Sequence, residues 1–438
     1  MTALAKVGGV GAEDSLDFEA TIVVSVDTHA GPRLVEDLRP YCPTDRIGDF
    51  DAYSNEASRL KATIAGVASY LINHPNFSTP GHYDSAARLA DYDYDGVAAG
   101  VIFHGSENFE PFPFGSFVPG DPPRSKELAA VGYQIYNRWL VDFVSEAPDR
   151  HIGVGYLPMW DIEAAIAELR WVHDHGLKVV NFPALRAGDI LPYNHPDWDP
   201  FWAECQERQM PLVTHVGVAG NVKYGGPEAY ALKLVESGSF FSHRAVWWLI
   251  YGGVFERFAG LKLMITETPG NWFPGLAKEL DAGWSMFLGE REMNAAFLEK
   301  VPRPPSEYMH RNVFLGASFA SPYEVQQAVE HGFESQLTWG SDYPHVEGTY
   351  LNPQDSQIPS VTRLALRNTF CELEPPTIRR MVGDNAIDIF GLSRSELQKV
   401  ANQISAPTIQ EIRTPIDRGL VPAGASDHAF RSGQTGWS

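Results

Sequence analysis

The feature that most limits what this chain can become is a series of eight short apolar, β-favouring runs, near residues 21–26, 97–103, 152–157, 178–182, 212–215, 261–267, 313–317 and 336–342. Helical patterns separate most of them, at 126–146, 162–175, 200–208, 228–258 with a break near Gly238, 272–287 and 323–331. Near-continuous apolar strands need cover on both faces, the signature of a parallel sheet wrapped in helices. Eight such units predict closure into a (β/α)8 TIM barrel.

The stretch from about 33 to 95 is too long for a simple strand-to-helix connection and predicts an insertion after the first strand, with a helix at 55–73. Residues 1–20 read as a flexible arm, 21–395 as the barrel and 396–438 as a tail. Helical patterns at 360–372 and 376–390 give the barrel a C-terminal helical extension, and the Pro/Gly/Ser-rich stretch from 406 reads as extended.

With 438 residues, 44% of them hydrophobic, a large core is available. A formal net charge of −21 argues against nucleic acid and anionic membrane as partners. Cys42, Cys205 and Cys371 are far apart, which fits neither a disulfide framework nor a zinc–thiolate site. Without a signal-like leader or a long apolar run, the expectation is a cytoplasmic protein. The helical tail is the expected contact of a homodimer.

In a barrel the C-terminal ends of the strands share one rim, so residues distant in sequence meet there. The expected strand ends carry Asp27 and His29 from the first, His104 from the second, His215 from the fifth, Glu267 from the sixth and Asp342 from the eighth. Asp27 and His29 are two apart and point to the same side of their strand. Each residue alone could be a helix cap or a hydrogen-bonded structural group. Together, three carboxylates with few cations beside them would repel, and a multivalent cation resolves the conflict. Mixed imidazole and carboxylate suits zinc, manganese or non-haem iron. Six candidates exceed what one catalytic zinc needs, so two metals enter consideration.

Other polar residues near the rim add to this set. His243 is a seventh candidate ligand or proton donor, with a packing role as the alternative. His345, three residues after Asp342, is a candidate acid/base residue. Phe112 and Phe114, in an aromatic, Pro-rich loop at 109–115, are either packed on their own domain or form the wall of an apolar pocket, together with Trp247 and Trp272. Arg33, Arg39, Arg46 and Lys61 in the insertion could receive phosphates or form a solvated face.

Several runs are recognisable: Val26-Asp27-Thr28-His29, His195-Pro196-Asp197-Trp198, Thr214-His215-Val216-Gly217, Gly253-Val254-Phe255-Glu256, Trp339-Gly340-Ser341-Asp342-Tyr343-Pro344-His345 and Gly383-Asp384-Asn385-Ala386. Through them the chain resembles the metal-dependent amidohydrolase superfamily, in the branch similar to aminocarboxymuconate-semialdehyde and hydroxybenzoate decarboxylases. Against that pattern Asp27 replaces the first histidine of His-x-His, Glu267 stands where those decarboxylases carry a histidine, and His104 is an added candidate. In site make-up the chain also looks like divergent diiron monooxygenases built on this barrel, a group that includes the terpenoid hydroxylase of platensimycin and platencin biosynthesis.

The second resemblance implies two iron ions held by Asp27, His29, His104, His215, His243, Glu267 and Asp342, with Glu267 and His345 catalytic. It also implies dioxygen, an electron donor and an apolar acyl-CoA substrate, such as a diterpenoid one. The first implies one zinc or manganese ion and a decarboxylase or hydrolase. These are two separate expectations for one rim.

Overall fold

In a computed structural model the eight apolar runs form β1 (Val24–Ala30), β2 (Ala99–His104), β3 (His151–Gly155), β4 (Val179–Asn181), β5 (Leu212–His215), β6 (Leu263–Thr266), β7 (Val313–Ser318) and β8 (Leu337–Gly340). The structure describes residues 19–67, 72–117, 123–183, 190–216, 226, 228–268, 270–289, 291–353 and 358–432. The expected arm up to residue 18, residues 68–71 of the expected first helix and the last six residues of the tail lie outside them.

All seven neighbouring pairs are parallel and follow chain order. β8 returns to β1 through Asp342 N–H donating to the Asp27 carbonyl at 2.9 Å and a bridge between Thr28 and Tyr343, so the barrel is nearly closed. This is the (β/α)8 TIM barrel that the alternation of runs predicts. No helix among the described residues is long and apolar enough to cross a membrane.

Side-chain alternation sorts each strand. Val24 and Val26 of β1, Val101 and Phe103 of β2, Val154, Val179, Val213 and Met264 pack into one buried cluster, floored by Ala386, Ile387 and Phe390 of the helix Asn385–Phe390. Alternate residues such as Val23, Ile102, Val180 and Leu212 turn outward and pack against the helices. The floor seals one end of the barrel and leaves the strand C-terminal ends as the face where polar groups gather.

The insertion differs in detail from expectation. Its first helix runs Ile47–Val67, earlier than expected. A second helix, Ser85–Asp95, was not signalled by periodicity because its buried face includes Arg88, Tyr92 and Asp95 rather than aliphatic residues. Local chemistry still marks its ends: the Asp84 side chain accepts from Ala87 N–H, and Gly96 closes the helix at φ 76°. Helices Arg291–Lys300 and Pro305–Asn312 also add to the expected set. The segment from 406 holds a short helix, Ile409–Ile412, and 3-10 turns at Arg418–Leu420 and Asp427–Phe430. The four insertion cations each meet a carboxylate: Arg33 with Asp37, Arg39 with Asp51, Arg46 with Glu127 and Lys61 with Glu110. They form ion pairs rather than an open phosphate cradle.

Candidate metal centre

The rim is built from strand ends and the turns that follow them. Asp27 and His29 leave β1, His215 ends β5, Glu267 follows β6, and Asp342 and His345 follow β8. Glu267 at φ 58° and Asp342 at φ 56° hold left-handed backbone that non-glycine residues rarely adopt, so each carboxylate is aimed at a local cost of order 1 kcal/mol.

These side chains converge. His29 Nε2 lies 3.2 Å from Asp27 Oδ1 and 3.2 Å from Asp342 Oδ1. His215 Nε2 lies 3.4 Å from Asp27 Oδ1 and 3.4 Å from Glu267 Oε2. His345 Nδ1 is 2.9 Å from Asp342 Oδ1, and its ring stacks on His29 with centroids 4.0 Å apart. Three overlapping groups have the spacing of metal ligands: Asp27, His29 and His215; His29, Asp342 and His345; and Glu267, Asp342 and Glu347. Glu347, five residues past Asp342, was not singled out in the sequence; it sits on the same turn, and its signal was only an acid close after Asp342.

Backbone carbonyls assign the histidine tautomers. The ring nitrogen facing away from the cluster meets a carbonyl in each case: His29 Nδ1 at the His104 carbonyl (3.4 Å), His215 Nδ1 at that of Val216 (2.9 Å) and His345 Nε2 at that of Gly105 (2.8 Å). A nitrogen opposite a carbonyl carries the hydrogen, so in the neutral rings His29 Nε2, His215 Nε2 and His345 Nδ1 turn lone pairs on carboxylate oxygens. Acceptor facing acceptor in a buried place is repulsive unless a proton or a cation stands between. Asp27 Oδ1, both Asp342 oxygens, His29 Nε2 and His215 Nε2 are buried without a hydrogen-bond partner. The donor set therefore fits a divalent cation.

In the metal-free protein, protons take that role. Burial acts to raise Asp27, but His215 and His29 outweigh it and hold the carboxyl well below the usual range. Burial acts to lower His215, but Glu267 and Asp27 carry it up to about 10. Asp342 is lowered against its burial by His345 and His29, and His345 is raised against its burial by Asp342. Glu267 is pushed well above the carboxylate range by burial, with Asp342 and Asp27 adding to the effect.

Two expected ligands stand elsewhere. β2 pairs with β1 so that His29 faces Phe103 and Ala30 faces His104. His104 therefore points outward, onto Phe112 (centroids 4.3 Å) and Tyr136 (5.2 Å), and burial lowers its pKa to about 3. Its contribution to the rim is the backbone carbonyl behind His29. His243 stacks on Trp272 at 3.9 Å and belongs to none of the three ligand groups. Among the expected pocket residues, Phe112 joins Tyr133, Tyr136 and Tyr156 in an aromatic nest beside β2 and β3. Phe114 instead packs on Phe50 and Tyr53 of the insertion, and Trp247 on Phe240. Trp272 donates through Nε1 to Thr268 Oγ1, next to Glu267.

The packing behind the ligands is equally constrained. A Cβ on Gly340 would lie 2.8 Å from Asp27 Cβ and 2.9 Å from Ser318 Oγ. Gly340→Ala is therefore expected to cost about 1–3 kcal/mol of stability through overpacking and to weaken metal binding by displacing Asp27. Urea unfolding and metal titration of the variant check both effects.

The chain matches the amidohydrolase family model over residues 87–392. It is 25% identical over 315 residues to a 2-amino-3-carboxymuconate-6-semialdehyde decarboxylase of Dictyostelium discoideum, covering 71% of this chain and 77% of that protein. The fold is shared with 5-carboxyvanillate decarboxylase from Sphingomonas paucimobilis, at TM-score 0.54, 18% identity and coverage of 85% and 100% of the two chains. It is shared too with a dihydroxybenzoic acid decarboxylase from Polaromonas sp. JS666, solved with bound manganese and the inhibitor 2-nitroresorcinol, at TM-score 0.54, 16% identity and coverage of 86% and 99%. The expected diiron monooxygenase is corrected by these relatives, which are decarboxylases and none of which is an oxygenase. Its dioxygen, electron donor and acyl-CoA fall with it. A family match across most of the chain, on a barrel whose rim carries this ring of candidate ligands, makes the chain a member of the amidohydrolase family.

Proposed function

We propose that the chain is a metal-dependent, non-oxidative decarboxylase of a small conjugated or aromatic carboxylic acid, working with a single divalent ion of the manganese or zinc type. The observation that carries the reading is the set of imidazole nitrogens lying 2.9–3.4 Å from buried carboxylate oxygens. The decarboxylase relative supports the reaction class. His29 belongs to the first two ligand groups and Asp342 to the last two, so an ion at Asp27, His29, His215 and Asp342 draws on all three.

Asp27, His29, His215 and Asp342 would hold the ion, with His345 against Asp342. Bound there, such an ion supplies a positive charge that grips substrate oxygens and offsets the negative charge released as a carboxylate departs. The remaining work falls to the chain. The bond between the substrate carbon and its carboxylate breaks, the electron pair stays on that carbon, and carbon dioxide leaves. A proton must replace it. Glu267, whose pKa burial pushes well above the carboxylate range, would hold one at the rim and take another from water after giving it up. Phe103, packed against His29 and His215, keeps the floor beneath the centre apolar and limits water near the reacting carbon.

Turnover in deuterium oxide tests this, because the product should carry one deuterium on the carbon that bore the carboxylate. Glu267→Gln keeps the shape of the side chain but has no acidic proton to give, so fold and bound metal should persist while kcat falls ~10²–10⁴-fold. An unchanged kcat would remove Glu267 as the proton source.

A further inference from the structure

The family match ends at residue 392, but the described chain continues to 432 and returns to the barrel wall at Arg431. The Arg431 side chain is only 4% exposed and pairs with Glu324 Oε2 at 2.9 Å. Glu324 belongs to the capping box of the helix Pro322–Glu330 that follows β7. The same guanidinium donates twice to the Phe319 carbonyl, from Nε at 3.2 Å and Nη2 at 3.0 Å. Arg431 is itself anchored, since Asn368 Nδ2 donates to its carbonyl at 3.2 Å and neighbouring Phe430 packs with Leu351, Val361 and Leu364.

Phe319 is a conspicuous place for such a clamp. Its φ of 40° is in the left-handed region, where a bulky side chain costs of order 1 kcal/mol or more. Its N–H donates to the Gly340 carbonyl of β8 at 3.2 Å, while its carbonyl faces Arg431. The peptide is thus held from both sides. One residue earlier, Ser318 Oγ donates to Asp27 Oδ2. That hydrogen bond fixes the carboxylate rotation and leaves Oδ1 directed at His29 and His215.

We infer that Arg431, from an extension beyond the family match, is a positioning residue of the metal centre: it pins the Phe319 peptide, which places the Ser318 hydroxyl, which orients Asp27. The inference rests on Asp27 being a metal ligand, as proposed above. Outer partners of this kind change metal affinity without touching the metal. A side chain serving only to close the barrel wall would alter stability and leave the coordination geometry alone.

The test is a double-mutant cycle read by metal binding in the full chain. Arg431→Gln and Ser318→Ala are each expected to weaken cobalt(II) affinity ~10–100-fold in competition with a chelator and to shift the cobalt d–d absorption. Because both act through Asp27, the double variant should lose little more than the worse single one. Arg431→Lys keeps a cation for Glu324 but cannot make both contacts to Phe319, and should shift the spectrum while staying folded. This variant decides the matter if Arg431→Gln does not fold. Wild-type affinity and spectrum in folded Arg431→Lys, or fully multiplying losses in the cycle, would overturn the inference. A wild-type chain that binds no metal would instead sink the reading of the centre itself.

Discussion

Replacing Asp342 with alanine is expected to strip the metal from this protein and to abolish turnover. Asp342 is fully buried and sits at the meeting point of two ligand groups, 3.2 Å from His29 Nε2 and 2.9 Å from His345 Nδ1. Structural sites with four protein ligands bind zinc with about 10–16 kcal/mol, so one ligand is worth roughly 3 kcal/mol, or on the order of 100-fold in affinity. The loss here should be at least that, because Asp342 also orients both histidines. Chelator competition measures it. Retention of wild-type affinity in a folded Asp342→Ala variant would move the metal elsewhere.

The second large effect is on stability and lies away from the rim. Asp95 ends the helix Ser85–Asp95, and burial pushes its pKa up to about 7, although the hydroxyls of Thr362 and Ser360 donate to it at 2.7 Å and act in the other direction. An acid whose folded pKa is raised prefers its protonated form in the folded state. The folded chain therefore carries no penalty from Asp95 below the unfolded pKa, and loses stability as pH rises from about 4 through 7. Above that, the full cost is about 4 kcal/mol. Asp95→Asn removes the titration and keeps an amide in the same place. The Thr362 hydroxyl can turn its proton to the Thr349 carbonyl, 3.1 Å away, and accept from the amide. The variant should be more stable than the parent by about 2–4 kcal/mol at pH 8 and nearly equal to it at pH 4. Urea midpoints across that range decide it; a gap that does not widen with pH would show that Asp95 is not the source.

The barrel was legible because strands buried on both faces must be apolar throughout, and eight such runs separated by helices admit few closures. Asp27, His29, His215 and Asp342 were legible for a related reason: each ends an apolar run, where a polar side chain has only the rim to occupy. His104 also ended such a run, yet alternation settles its direction. Val101 and Phe103 point inward, so the next residue points out. The β2 sequence held that information, but strand-end position alone did not use it. Glu347 was hidden because loop conformation, not period, brings it to the site, and Ser318 because it ends β7 one residue past the expected run at 313–317. The helix Ser85–Asp95 was hidden because its buried face is paid for with hydrogen bonds, including those from Arg88 to the His29 carbonyl and from Thr362 to Asp95.

Carbon dioxide release under strictly anaerobic conditions tests the central claim most directly. The chain, cleared with chelator and reloaded with manganese or zinc, is given small conjugated and aromatic acids labelled with carbon-13 in the carboxyl group. Decarboxylation at the rim predicts labelled carbon dioxide in one-to-one yield with product, undiminished without oxygen, absent from the chelated protein and absent from Asp342→Ala. Metal-loaded protein that turns a substrate over only when oxygen is admitted, or that releases no labelled carbon dioxide from any acid it converts, would contradict it.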